Sequence, residues 1–186
     1  MSDNVYETPS SELVTEETGG SINDFYVVSL KKFNILFFAT FSIYAVYWFY
    51  KNWKLVKIRE KRDIWPVARG IFSIFFTHSL FSLIEGRVEQ AGEKKWNGGQ
   101  LATLYVVVTL ISIFMGYGSN TFIYLLSFAL IIPVWYPLYS AQYKINVICG
   151  DPKGESNSEF SAANYIFIGL GVIFWLFALL GAFIPA

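Results

Sequence analysis

The chain has 186 residues, of which 54% are apolar and only 15% charged, well below the roughly one quarter of charged residues usual in soluble domains. Its 14 basic and 14 acidic residues cancel, so net charge predicts neither a nucleic-acid partner nor an acidic substrate. The one cysteine, Cys149, excludes an intrachain disulfide.

The first 24 residues are polar and acidic, and they are rich in Ser, Thr and Glu. Six acids and no base lie within residues 1–30. Such a composition buries too little apolar surface to offset the entropy lost on ordering. We therefore predict a disordered acidic tail over 1–24 and a single helical membrane domain over 25–186.

Four long apolar segments follow the tail. Each approaches or exceeds the roughly 17–25 residues that cross a hydrocarbon core about 30 Å thick. No water reaches that core, so each segment has to satisfy its own backbone amides as a helix. The sequence thus predicts an all-α, polytopic membrane protein with four firm transmembrane helices, at about 33–53, 101–116, 121–143 and 162–184.

A fifth segment, 66–85, is a conditional membrane segment. Pro66 suits the first turn of a new helix, and many Phe, Ile and Leu residues follow it. Polar groups interrupt this run, and on insertion scales each Leu, Ile or Phe offsets only about 0.3–0.6 kcal/mol of their cost. Two readings stay open: the segment crosses the bilayer, or it lies as a re-entrant or interfacial helix.

An aromatic-rich stretch ends the first apolar segment and leads into a basic one, with six bases and two acids in 51–65. Amphipathic rings settle at the headgroup level, and Lys and Arg accumulate on the cytoplasmic side. We therefore predict that loop 51–65 is cytoplasmic. The candidate contacts to anionic headgroups or to a partner are Trp48, Lys51, Trp53, Lys54, Lys57, Lys61 and Arg62. The alternative is an ordinary topology anchor.

The sequence gives little support for catalytic activity. Metal catalysis needs several converging His, Cys or carboxylate ligands, whereas this chain has one His and one Cys. We predict no catalytic, cofactor-binding or metal-binding residue. Ionisable groups inside a membrane are functional candidates by default, which gives one possible polar intramembrane site: Arg69, Ser73, Thr77, His78 and Ser82. The alternative is a neutral His78 bonded to a neighbouring helix and a structural anchor at Arg69.

An internal similarity relates residues 40–49 to residues 127–136, 87 positions later. The identities are few, and apolar segments resemble one another by chance. A duplication of one helical unit is therefore one hypothesis and coincidence the other.

Several motifs occur in a recognisable order: 25–29, 47–51, 65–69, 71–81, and Cys149-Gly-Asp-Pro with Ala162-Ala-Asn-Tyr. Together they resemble an uncharacterised family of proteobacterial polytopic inner-membrane proteins. The resemblance implies a multi-pass protein of the bacterial inner membrane, and it assigns no catalytic residue.

The function predicted on these grounds is that of a non-enzymatic accessory or scaffold protein. Its partners are the lipid bilayer, anionic lipid headgroups, and unknown membrane proteins or further copies of itself. The alternative is a small transporter or channel that uses the polar face of segment 66–85. An intramembrane enzyme ranks third, because the sequence offers no catalytic set.

Overall fold

A computed structural model describes residues 23–116 and 121–183, and every regular element among them is helical. The prediction of an all-α chain is therefore confirmed. Residues 1–22, most of the predicted tail, lie outside the described residues. The helices are α1 (Leu30–Ala39), α2 (Tyr44–Glu60), α3 (Pro66–Ile71), α4 (Ser73–Gln90), α5 (Gly98–Gly116), α6 (Thr121–Ala129), α7 (Ile131–Ile148) and α8 (Ala162–Phe183), with a 3₁₀ turn at Glu155–Asn157.

The predicted first span, 33–53, is two helices rather than one. The chain turns between α1 and α2, where Phe41 and Ser42 have left-handed φ angles of 55° and 65°. The Thr40 hydroxyl accepts a hydrogen bond from the Tyr44 amide at 3.0 Å and so satisfies one free donor at the start of α2. At ten residues, α1 rises only about 15 Å, half of a hydrocarbon core.

Two further predicted segments are also interrupted. Segment 121–143 divides at Leu130 into α6 and α7, and segment 66–85 divides at Phe72 into α3 and α4. Among the described residues, only α5 is long and apolar enough to cross a membrane, over Gly98–Met115; α8 contributes a shorter apolar stretch, Ala162–Ala178. The prediction of four firm transmembrane helices and a conditional fifth is therefore wrong.

The helices surround a buried aromatic core. Its largest fully buried aromatic side chains are Phe33, Phe37, Trp48, Phe49, Trp53 and Phe81. Edge-on contacts join several of these rings, such as Trp48 and Phe49 with centroids 5.0 Å apart. Trp48 and Trp53, which were expected at a membrane exit, thus lie inside the chain. This cluster indicates a helical domain organised around its own core, and the prediction of an integral membrane protein is corrected accordingly.

Four side-chain amides hold the irregular segment Phe25–Ser29 inside the fold. The Asn146 Nδ2 donates to the Val28 carbonyl at 2.9 Å, and the Gln142 Nε2 donates to the Tyr26 carbonyl at 3.1 Å. We call this group the carboxamide clamp; its members are Asn52, Gln142, Asn146 and Asn157. Buried backbone N–H and C=O groups need hydrogen-bond partners. The clamp gives the backbone of Phe25–Ser29 the partners that a neighbouring strand would give it in a sheet.

The molecule has a polar end and an apolar end. At the polar end, Asp24 lies 3.0 Å from Arg59 and 3.7 Å from Arg87, which brings together the C-terminal parts of α2 and α4. At the apolar end, Phe41 in the α1–α2 turn packs on Trp175 of α8, with ring centroids 4.4 Å apart. The ion pairs of Asp24 and the contact between Phe41 and Trp175 thus lie at opposite ends of the helices.

Helix α8 meets the rest of the domain through a small number of close contacts. The Trp175 indole donates to the Phe38 carbonyl at 2.8 Å, which satisfies an acceptor near the end of α1. A Cβ added at Gly171 would overlap the Ala39 carbonyl oxygen. Glycine is therefore required at this crossing, where α8 touches the α1 backbone.

Substituting Gly171 with alanine is expected to lower the free energy of unfolding by about 1–3 kcal/mol, because the added methyl forces α8 away from α1. Urea titration followed by tryptophan fluorescence measures the change. Gly169→Ala is the matched control, since no atom lies within 4 Å of its added Cβ. The control should be neutral or slightly stabilising, as alanine favours helix by up to about 1 kcal/mol. Equal losses in both variants would contradict the close crossing.

Candidate functional site

A basic groove runs along the outer face of the second half of α2. Lys54 and Lys57 stand three residues apart on one face of α2, and Lys61 is the residue at which the helix ends. The groove is shallow and open, with a volume of about 440 Å³, and its lining is Lys54, Lys57, Ile58, Lys61, Arg62 and Asp63. The three lysines are exposed, and none forms an ion pair with another described residue. We call Lys54, Lys57, Lys61 and Arg62 the basic stripe.

Neighbouring acids reduce the charge of the stripe only in part. Arg62 contacts the Glu60 carboxylate at 2.5 Å, and Asp63 lines the same groove. Four cations and these two acids leave a net charge of two. The stripe therefore remains a positive surface that attracts an extended anionic one.

An apolar ridge continues from the end of the basic stripe. Trp65 is 71% exposed and Phe75 is 78% exposed, both unusually high for such large apolar side chains. The ridge comprises Trp65, Val67, Ile71, Phe72 and Phe75, all of them exposed. The two surfaces follow each other along the chain, since the stripe ends at Arg62 and the ridge begins at Trp65, and the helices that carry them, α2 and α3, pack against each other.

The predicted headgroup contacts are only partly brought together. Lys54, Lys57, Lys61 and Arg62 share the groove, whereas Trp48 and Trp53 are completely buried. The Trp48 indole donates to the Gln142 Oε1 at 2.5 Å. The Lys51 ammonium lies 5.4 Å from the centre of the Tyr26 ring, away from the groove lining. The exposed aromatic residues beside the stripe are those of the apolar ridge instead.

The predicted polar set on segment 66–85 is divided among different surroundings. The Arg69 guanidinium stacks on the Trp53 ring at 4.3 Å and on the Phe76 ring at 4.9 Å. Ser73 and Thr77 are buried: the Ser73 Oγ lies 3.4 Å from the Tyr105 hydroxyl, and the Thr77 hydroxyl donates to the Ser73 carbonyl at 2.7 Å.

The other two members of this set face outward. His78 is exposed, and its Nε2 lies 3.0 Å from the Thr103 Oγ1 of α5; Ser82 is exposed as well. A transport path would need these five side chains to line one passage. Their contacts distribute them instead among an aromatic stack, a helix interface and the outer surface.

The carboxamide clamp is the polar feature that our reasoning from sequence missed. Asn52, Gln142 and Asn146 are completely buried, and the Gln142 Nε2 donates to the Asn146 Oδ1 at 2.7 Å. A signal was present, since Gln142 and Asn146 stand four residues apart within an apolar helix. Two buried amides on one helical face indicate a polar partner, here the backbone of Phe25–Ser29.

Among the residues that the structure describes, no group of three or more His, Cys, Asp or Glu side chains could hold a metal ion. The basic stripe and the apolar ridge, which are surfaces rather than clefts, remain the strongest candidate site. No model of a protein family, no curated protein and no solved structure matches this chain.

Proposed function

We propose that the protein is a non-enzymatic accessory protein that attaches to the anionic surface of a bilayer, the bacterial inner membrane. The observation that supports this proposal is the adjacency of the basic stripe and the apolar ridge. One supplies positive charge to lipid headgroups, and the other supplies large apolar side chains to the layer just beneath them. The role is that of a scaffold for membrane partners or for further copies of the chain.

The energetics favour a surface of this composition. Each Lys or Arg near an anionic leaflet contributes about 1 kcal/mol, and the attraction fades within a Debye length. Aromatic rings such as that of Trp65 prefer the boundary between headgroups and hydrocarbon. Two kinds of contact acting together give stable attachment where one alone is marginal.

Exposed apolar faces on α5 and α8 also favour a lipid bilayer as the partner. On α5, Phe114 is 73% exposed, and on α8, Phe177 is 70% exposed, with many aliphatic neighbours also exposed. Apolar surface on this scale marks a site of contact with protein or membrane. A lipid bilayer accounts for both the exposed apolar surface and the charge of the stripe, because it carries anionic headgroups and acyl chains together.

Charge removal on the stripe tests the proposal. In the triple variant Lys54→Gln, Lys57→Gln, Lys61→Gln, we expect the preference for anionic over zwitterionic vesicles to fall by about 100-fold at low salt, because three contributions of about 1 kcal/mol are lost. Co-sedimentation with phosphatidylglycerol-containing vesicles and with pure phosphatidylcholine vesicles measures the ratio. Using the ratio cancels any apolar contribution common to both.

A second triple variant controls for net charge. Lys94→Gln, Lys95→Gln, Lys153→Gln removes the same number of cations from exposed positions outside the stripe. Most of the anionic preference should persist in this control. Equal losses in the two variants would indicate attraction by overall charge and would count against a defined lipid-facing stripe.

A further inference from the structure

Arg69 of α3 carries a positive charge that no acid among the described residues balances. It is half-buried, and its guanidinium forms neither an ion pair nor a hydrogen bond with any residue that the structure describes. Two acids that precede it in the sequence are engaged elsewhere, since Glu60 contacts Arg62 and Asp63 lines the groove of the basic stripe. Arginine stays protonated at neutral pH. The N–H donors of Arg69 are therefore available to an external anion.

Two aromatic rings from different helices hold the guanidinium. Its central carbon lies 4.3 Å from the centre of the Trp53 ring of α2 and 4.9 Å from that of the Phe76 ring of α4. The two rings meet nearly edge-on, with their centres 6.4 Å apart. These three distances place the rings on adjacent sides of the cation, as the walls of a corner. The rings attract the charge but offer no oxygen to its N–H groups.

The helix that carries Arg69 is also fixed in place. A Cβ added at Gly70 would lie 2.9 Å from the Val46 carbonyl oxygen and 3.1 Å from the Tyr50 Cβ, so α3 touches the α2 backbone next to Arg69. The Arg69 amide donates to the Trp65 carbonyl at 3.2 Å. Backbone and side chain are thus positioned before any ligand arrives. A cation held in this way loses less conformational freedom on binding.

The ligand chemistry that suits Arg69 is a phosphate group. The edge of a guanidinium presents N–H donors that match two oxygens of a phosphate or a carboxylate. Val67, Ile71 and Phe72, which flank Arg69 in the sequence, are exposed and apolar, as at the boundary between lipid headgroups and hydrocarbon. The anionic group that every phospholipid presents at this boundary is a phosphate. Burial, and second to it the charge of Arg62, lowers the pKa of the Arg69 guanidinium, and a bound anion would oppose both effects.

We propose that Arg69 binds a phosphate group through its guanidinium N–H donors, in the corner formed by Trp53 and Phe76. The flanking apolar side chains favour the headgroup of a phospholipid as the source, and this part of the proposal rests on the proposed attachment to a bilayer. Free phosphate is the other source of the same chemistry. The basic stripe responds to net negative charge, whereas Arg69 recognises the phosphate itself, in zwitterionic lipids as well as anionic ones.

Vesicles of two uncharged lipids test the headgroup source. Phosphatidylcholine carries a phosphate and digalactosyldiacylglycerol carries none, while neither has a net charge. We expect the full chain to prefer phosphatidylcholine by about tenfold in co-sedimentation, the effect of one charge-assisted hydrogen bond. Arg69→Gln should abolish this preference, and Lys95→Gln, which removes one exposed cation outside the stripe and the corner, should retain it.

Nitrogen-15 NMR of the wild-type chain without vesicles tests binding of the phosphate group directly. The guanidinium Nε–H signal of Arg69 is identified by its loss in Arg69→Lys, which keeps the charge. We expect inorganic phosphate and glycerophosphocholine to shift this signal saturably, and acetate at the same concentration to shift it less. A response to glycerophosphocholine identifies a headgroup phosphate, and a response to inorganic phosphate alone identifies free phosphate; either result supports the proposal.

The outcomes separate this proposal from the proposed function. If the stripe is not a lipid-facing surface, the preference for anionic vesicles is insensitive to its lysines, whereas the Arg69 signal still responds to phosphate. The absence of a saturable shift with both phosphate compounds, an equal shift with acetate, or a phosphatidylcholine preference that survives in Arg69→Gln would overturn the phosphate site. The NMR titration uses the wild type, so it decides the question even if Arg69→Gln does not fold.

Discussion

Replacing Asn146 with leucine is expected to destabilise the fold by about 3–5 kcal/mol. The Asn146 side chain is completely buried and bonds the Val28 backbone in both directions, as donor to the carbonyl at 2.9 Å and as acceptor from the amide at 3.4 Å. Its Oδ1 also accepts from the Gln142 Nε2 at 2.7 Å. Leucine has a similar volume but no hydrogen-bonding group. Three buried groups would then be left without this partner, at about 1–3 kcal/mol each before relaxation.

Urea titration of the full chain, followed by tryptophan fluorescence, measures this loss. Gln100→Leu is the control, because Gln100 is exposed on α5 and its change should stay within about 0.5 kcal/mol. Gln142→Met and the double variant complete a cycle. Since the two amides are bonded to each other, the double variant should lose less than the sum of the single losses. A loss below about 1 kcal/mol for Asn146→Leu would show that the clamp does not hold Phe25–Ser29.

Substituting Gly154 with alanine is expected to cost about 3 kcal/mol, from two separate causes. Gly154 has a left-handed φ of 67°, which disfavours a residue with a Cβ by about 1–2 kcal/mol. An added Cβ would also lie 2.5 Å from the Ser29 amide nitrogen, so the Phe25–Ser29 segment would have to move. Overpacking of this kind costs about 1–3 kcal/mol.

Gly150→Ala separates the two causes. Gly150 has a φ of 77°, also left-handed, yet no atom lies within 4 Å of its added Cβ. It should therefore show the conformational cost of about 1–2 kcal/mol and nothing more. The difference between the two variants in denaturation experiments measures the packing of the Asp151–Asn157 turn on the Phe25–Ser29 segment. Identical losses would mean that this packing is absent in solution.

Local signals in the sequence located several helices well. The apolar runs predicted at 101–116 and 162–184 correspond to α5 at Gly98–Gly116 and α8 at Ala162–Phe183. Pro66, suited to a first helical turn, begins α3. These features depend on neighbouring residues along the chain, so the sequence alone was sufficient to place them.

The interruption between α1 and α2 was not predicted, because no proline or glycine lies within residues 33–53. Phe41 and Ser42 adopt left-handed backbone conformations within an apolar run, and Phe41 is held there by its contact with Trp175, 134 positions later. A contact with so distant a residue cannot be read from the sequence around Phe41. The same holds for Trp48 and Trp53, whose sequence pattern is typical of a membrane boundary but which pack inside the aromatic core.

By itself, the sequence determined that the chain is helical, where α5 and α8 lie, and that a basic face follows the aromatic stretch on α2, since periodicity and composition are properties of neighbouring residues. Only the tertiary structure decided which apolar runs bend, which aromatic residues are buried, and which amides hold Phe25–Ser29. Apolar side chains are equally suited to lipid and to one another, so hydrophobicity measures the tendency to leave water and carries no information about the partner that replaces it.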